Sequence, residues 1–215
     1  KEDLAPRNTR ITREQCAMPI LVREVDLYPD DLLERASPCA DGESQWWALY
    51  TRSRQEKQLM RRLLAMSIAF YGPTIPRRLK TPSGRIFTAH VPLFPNYVFA
   101  YGNEWDRYNA MTSGCVSSHL RVVDGEQLRR DLSQIQQLIL SGAILTPEAR
   151  LVPGRHVRVR SGSFRGYEGV IIRREGRTRL LVAVNFLRQG ASLLLEDCEL
   201  EDIRTVTSCA HGSAS

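Results

Sequence analysis

Catalytic signatures are missing from this chain. G-x-S-x-G, H-E-x-x-H and G-x-x-x-x-G-K-[ST] do not occur, and the four histidines (90, 119, 156 and 211) are scattered. His119 has no carboxylate or cysteine pair beside it to make a site. A protein without enzymatic activity, cofactor or metal is expected. Cysteine is sparse and unpatterned: the five (16, 39, 115, 198 and 209) are odd in number, widely spread and never C-x-x-C. That excludes a disulfide framework or zinc site as the first reading and leaves reduced thiols. No apolar run approaches the ~20 residues that span a bilayer, and no signal-peptide pattern opens the sequence. A cytoplasmic protein, monomeric and without membrane contact, is the expectation. Lysine is scarce as well. Nearly all of the 30 basic residues are arginine, whose fork suits phosphate and carboxylate.

What is present is ordinary in bulk and uneven in detail. The 215 residues have room for one large or two small domains, with 42% hydrophobic and 25% charged residues. Residues 1–44 hold 6 basic and 10 acidic groups, residues 45–150 hold 14 and 7, and residues 151–215 hold 10 and 7. The middle of the chain is therefore the basic part, compatible with nucleic acid nearby.

The stretch from Val91 to Tyr101 organises that middle part. Pro92 and Pro95 bracket Leu93 and Phe94, so no helix runs through, and each residue before a proline is pushed to extended geometry. Beyond Pro95, Tyr97, Phe99 and Tyr101 fall on one face of a strand, Val98 and Ala100 on the other. Phe94 is held by Pro95 so that its ring can lie next to Tyr97. An aromatic stripe of this kind is either core or a rigid edge on which a partner docks.

Around it the chain alternates between periods. Residues 1–44 lack a sustained pattern and read as a mostly disordered extension, with one helical turn from Pro29 to Glu34. Trp46–Thr51 reads as a strand. Ser53 and Glu56 form a capping-box pattern before Leu59, Met60, Leu63, Leu64 and Ile68, an amphipathic helix ending near Tyr71-Gly72-Pro73. Arg52, Arg54, Lys57, Arg61 and Arg62 lie at its start and on its polar face. Ile75 starts a second extended segment, and Pro82-Ser83-Gly84 turns a basic hairpin carrying Arg77, Arg78, Lys80 and Arg85. Asn103 caps a short helix with Trp105, Tyr108 and Met111, and Val116–Val123 is a strand. Asp124 and Gln127 repeat the capping-box pattern before Leu128, Leu132, Ile135, Leu138 and Ile139. Strand, helix, strand, strand, helix, strand, helix is a split βαβ, a ferredoxin-like α+β sandwich over residues 45–142.

After a linker at 143–152 the period changes to two. His156–Arg160, Gly169–Ile172, the Leu180, Val182, Val184, Phe186 face, Ser192–Leu195 and Leu200–Ile203 are five short strands separated by glycine turns. A small SH3-like β-barrel over residues 153–204 is expected, with a disordered tail at 205–215.

These residues resemble the NusG family of transcription elongation factors, an NGN-type domain followed by a KOW barrel. The resemblance rests on Trp46-Trp47-Ala48-Leu49-Tyr50, Glu56, Leu93-Phe94-Pro95-Asn96-Tyr97-Val98-Phe99 and the glycine-spaced run from Gly154 to Val170. It covers about residues 45–204. Housekeeping members usually have Gly between the Pro and the Tyr. Asn96 instead resembles the operon-specialised, RfaH-like antiterminators.

The resemblance implies that the first domain binds the clamp helices of RNA polymerase through Phe94, Pro95 and Tyr97, favours the closed clamp and raises processivity. Phe99 and Trp47 are equally readable as core. Arg52 matches a position that approaches the non-template DNA strand, and Arg54, Arg77, Arg78, Lys80 and Arg85 could join it by charge, with DNA or nascent RNA nearby. In the barrel, Phe186 matches a contact for a ribosomal protein or Rho, with Phe164 in the KOW core beside it. Phe186 also reads as a core residue. A ribosome-associated KOW protein that binds RNA is the rival. RfaH-like proteins can refold their barrel into a helical hairpin. Here Gly154, Gly162, Gly166, Gly169, Gly176 and Gly190, with a run of Val and Ile, predict a barrel in the free protein and an open polymerase site.

Overall fold

A computed structural model describes residues 24–34, 44–149, 154–174, 176–195 and 199–203. The first unit is an antiparallel sheet with strand order β1-β3-β6-β2-β7. It comprises β1 (Leu27–Tyr28), β2 (Gln45–Thr51), β3 (Ala69–Tyr71), β6 (Tyr97–Gly102) and β7 (Val116–Arg121). Helices α1 (Glu56–Ala65) and α2 (Glu104–Thr112) cover one face. Trp47, Leu49, Phe70, Val98 and Ala100 point to them and bury with Leu59, Met60, Leu63 and Ala110. The other face carries Trp46, Ala48 and Phe99. It is covered by α3 (Gly125–Leu140) through Leu128, Leu132, Ile135 and Leu138. This is the expected ferredoxin-like sandwich.

Helix ends account for two differences from the sequence reading. The α1 helix stops at Ala65, well before Tyr71. Ser67 takes φ 56°, Ser67 N donates to Leu64 O and Ile68 N to Leu63 O, both at 3.0 Å. That Schellman closure frees Ala69–Tyr71 to be the second strand of the sandwich. The segment from Ile75 belongs elsewhere: β4 (Thr74–Lys80) and β5 (Ile86–Pro92) form a separate two-stranded arm. The Ser53–Glu56 capping box does not form, because Glu56 turns its carboxylate to another loop. Asp124 does cap α3, accepting from Gln127 N at 2.8 Å, but the Gln127 side chain donates to Asp131 instead.

The expected disordered extension is partly structured. Leu27 and Tyr28 pair with Tyr71 and Phe70, Gly72 N donates to Asp26 O at 2.7 Å, and Leu32 and Leu33 are buried. Apolar side chains at 27, 32 and 33 supply the burial that a sequence without a sustained period did not advertise. The rest of that extension and the 205–215 tail lie outside the described residues.

The second unit is a six-stranded sheet, β13-β9-β10-β11-β12-β8. Its strands are β8 (Thr146–Glu148), β9 (Arg155–Val159), β10 (Glu168–Arg174), β11 (Arg177–Val184), β12 (Gln189–Leu194) and β13 (Leu200–Asp202). All five expected strands are there, in an SH3-like barrel. At Gly169 a Cβ would come within 2.5 Å of Leu181 O, so only glycine lets β10 lie this close to β11. The expected linker is shorter than foreseen, since β8 falls inside it and pairs with β12.

The two units share one apolar cluster that runs from Phe99 and Leu132 to Val157, Leu180 and Val184. Strand β11 and the 3-10 turn Asn185–Leu187 contact α3.

Candidate docking face, basic arm and barrel rim

The turn that opens β6 is fixed from three sides. Tyr97 N donates to Phe94 O at 3.2 Å, Thr51 N to Asn96 O at 2.8 Å, and Asn96 N to the buried Glu56 carboxylate at 2.8 Å. Asn96 has φ 66° and follows a proline, the pattern of a type II turn. Asparagine and glycine are the residues that hold this conformation readily. The Asn-for-Gly difference is therefore a conformational equivalence at this position.

The turn sets Phe94 and Tyr97 to different tasks. Phe94 was expected as an exposed anchor. It is 1% exposed, with its ring edge-on to Phe99 at 6.2 Å, so its place is in the core. Leu93 and Phe94 both turn inward and fill the space beneath the turn. Pro95 is exposed. Tyr97 is half-buried and meets Tyr50 edge-on at 5.1 Å. Register places Leu120 opposite Ala48 and Ser118 opposite Tyr50, so Tyr50, Tyr97, Ser118 and Leu120 occupy one face. Tyr50 is 38% and Leu120 49% exposed, so α3 covers the Trp46–Phe99 part of this face and leaves their part open. Tyr50 and Leu120 were not singled out from sequence. The alternation of β2 was legible, but the β2–β7 pairing that adds Leu120 was not. Trp47 and Phe99 are buried.

The basic residues divide into two groups at one end of the sheet. Arg52 and Arg54 are exposed at the β2–α1 corner, Arg54 at φ 60°. The arm roots beside them, with Leu93 N donating to Pro73 O at 2.8 Å. Its seven-residue register pairs Arg77 with Ala89 and Leu79 with Phe87 on one face, Arg78 with Thr88 and Lys80 with Ile86 on the other. Arg85 follows the tip, where Thr81 Oγ1 accepts from Arg85 N at 3.0 Å. The hairpin cations are all exposed, but Arg77 faces away from Arg78 and Lys80.

In the barrel, β11 ends at Val184, so Phe186 does not continue its inward face. It sits half-buried in the 3-10 turn, and Phe164 packs edge-on to Tyr167 at 6.4 Å. That turn is held on α3. Asp131 Oδ2 accepts from Asn185 N at 3.0 Å and from its Nδ2 at 3.3 Å, and Gln134 Oε1 accepts from Glu168 N at 3.4 Å. Burial raises the Asp131 carboxyl above its ordinary 3.8, outweighing the hydrogen bonds from Asn185 and Gln127 that oppose the rise.

A family model described as transcription termination factor NusG matches residues 44–149, and the KOW motif matches residues 153–184. The chain belongs to the NusG family. Members of the NusG family are non-enzymatic factors of transcription elongation and antitermination. The NusG match spans the candidate docking face and the arm, whereas the KOW match ends at Val184, just before the turn that bears Phe186. The comparison with curated proteins gives no match. Among the described residues, no helix is long and apolar enough to cross a membrane.

Proposed function

We propose that this NusG-family chain docks its first domain on the clamp helices of RNA polymerase and raises processivity by favouring the closed clamp. One observation carries this reading: the sheet face that α3 leaves open, where Tyr97 and Tyr50 meet next to exposed Leu120. Aromatic anchors on a rigid strand lose little conformational freedom on binding, and a coiled coil offers them a ridge of apolar side chains. Pro95 and Asn96 hold Tyr97 at a fixed angle, and Phe94 supports the sheet from below. Arg52 and Arg54, with Arg78, Lys80 and Arg85 on the arm, run along the exposed DNA strand or nascent RNA through phosphate contacts, and Arg77 adds charge on the arm's other face. Phe164 and Phe186 offer the barrel to a ribosomal protein or to Rho. The setting is the cytoplasm.

Capture of purified polymerase by the immobilised full chain tests the docking face. Tyr50→Ala with Tyr97→Ala should weaken capture by ~2 kcal/mol or more, the usual cost of losing hot-spot anchors, while the melting curve stays close to that of the parent. Undiminished capture by the folded double variant would refute the assignment.

A further inference from the structure

Strand β8 shows what the β12 edge of the barrel accepts. It covers that edge with three residues, Thr146 opposite Ser192, Pro147 opposite Ala191 and Glu148 opposite Gly190. None of the three is buried, and Pro147 has no N–H to give to the ladder. The hold is polar instead. Ser192 Oγ donates to Glu148 Oε1 at 2.8 Å, and Arg174 Nη2 lies 3.4 Å from Glu148 Oε2. Arg179 Nη2 donates to Thr146 Oγ1 at 2.7 Å, and Arg179 Nε to Ser192 Oγ at 2.9 Å.

Register gathers these donors on one face of the barrel sheet. Ile172 stands opposite Arg179 and Leu181 opposite Ser192, with Arg174 two residues beyond Ile172. Val170, Ile172 and Leu181 form a small apolar cluster on the same face. Ser192 is fully buried. Without β8 its hydroxyl loses its acceptor, Arg174 its carboxylate and Arg179 one of its partners. Buried donors left unsatisfied are costly, so whatever covers this edge has to bring a carboxylate to the same place. A nucleic acid offers negative charge but no backbone ladder for β12. The edge also adjoins the turn Asn185–Leu187, whose Phe186 belongs to the rim offered to a partner above.

We infer that β8 is an exchangeable strand, whose place on β12 is taken by an extended segment of a partner protein. That segment carries a carboxylate two residues after a hydrogen-bond acceptor, as Glu148 follows Thr146. Strand addition of this kind draws affinity from backbone pairing and selectivity from the side-chain sites. The inference rests on the reading that the barrel receives a second partner, and not on the polymerase face.

A labelled peptide of residues 143–149 is the probe, added to the full chain. In the parent the cis strand competes at a high effective concentration, so uptake should be weak. The chain with Thr146→Ala and Glu148→Gln should bind the peptide roughly tenfold tighter in anisotropy, since its own strand has lost its charge-assisted bonds. Glutamine in place of the peptide's glutamate, or Arg174→Ala added to the chain, should cancel most of that gain. In the parent, excess peptide should speed amide exchange within Thr146–Glu148 while β9–β11 stay protected, a reading that needs no variant. Tyr50→Ala with Tyr97→Ala should take up the peptide as the parent does, so this test and polymerase capture fail separately. The exchange is overturned by equal uptake in parent and β8 variant, by indifference to the peptide's glutamate, or by unchanged amide exchange. A β8 variant that dimerises in light scattering instead of taking up peptide overturns it as well, because the occupant is then a second copy.

Discussion

Asn96 and Phe94 show how much one side chain can decide. Asn96 sits in the left-handed region with its N–H given to Glu56, so Asn96→Gly should fold as well as the parent. Asn96→Val should cost on the order of 1–3 kcal/mol, because a β-branched residue resists positive φ. Chemical denaturation of the two variants checks the pair. Phe94→Ala should cost ~3–5 kcal/mol, the range for emptying a buried aromatic site. Tyr97→Ala, half-exposed, should cost far less while removing more polymerase binding per folded molecule. Melting curves run beside capture assays separate the two. The proline brackets around Phe94 were legible in the sequence. Which way they would turn its ring was not, since inward and outward positions obey the same dihedral limits.

Elements were legible where one period ran unbroken, as in α3, whose Leu128, Leu132, Ile135 and Leu138 recur at helical spacing and are buried. The end of α1 was not, because a serine rather than a glycine closes it. Asp131 was not singled out from the sequence, yet it holds the barrel through Asn185, 54 residues away. Its raised folded-state value fixes the sign of a pH effect. The folded chain binds a proton that the unfolded chain has already released. The Asp131 contribution to stability is thus complete below 3.8 and is lost as pH rises through the folded value. Denaturation curves across that interval should show the slope in the parent and its loss in Asp131→Asn. On the arm, Arg78→Glu with Lys80→Glu should weaken binding to an elongation complex with an exposed DNA strand, and the deficit should shrink as salt rises. Arg77→Glu should do less, because it faces away from that pair.

For the whole molecule, glycine and β-branched residues at period two were enough to read the barrel, since local propensity and tertiary pairing agree there. Its seat on α3 was not readable, because that contact joins surfaces that each look complete alone. Cutting the chain between Leu145 and Arg155 should leave NMR secondary shifts of the β9–β12 strands at strand values. Amides of Glu168 and Asn185 should move, as their acceptors sit on α3. Helical shifts in the intact chain that turn to strand values after cutting would contradict a barrel in the free protein.

Strand β8 also sets the length of a leash. While Thr146–Glu148 stays paired with β12, the chain between α3 and the barrel runs only from Leu140 to Thr146. At full extension that spans about 20 Å. Peeling off β8 moves the anchor to Arg155, at the start of β9, and lengthens the reach to about 50 Å. Three residues of edge pairing thus set how far the barrel travels once its apolar seat on α3 and the Asp131–Asn185 bonds open.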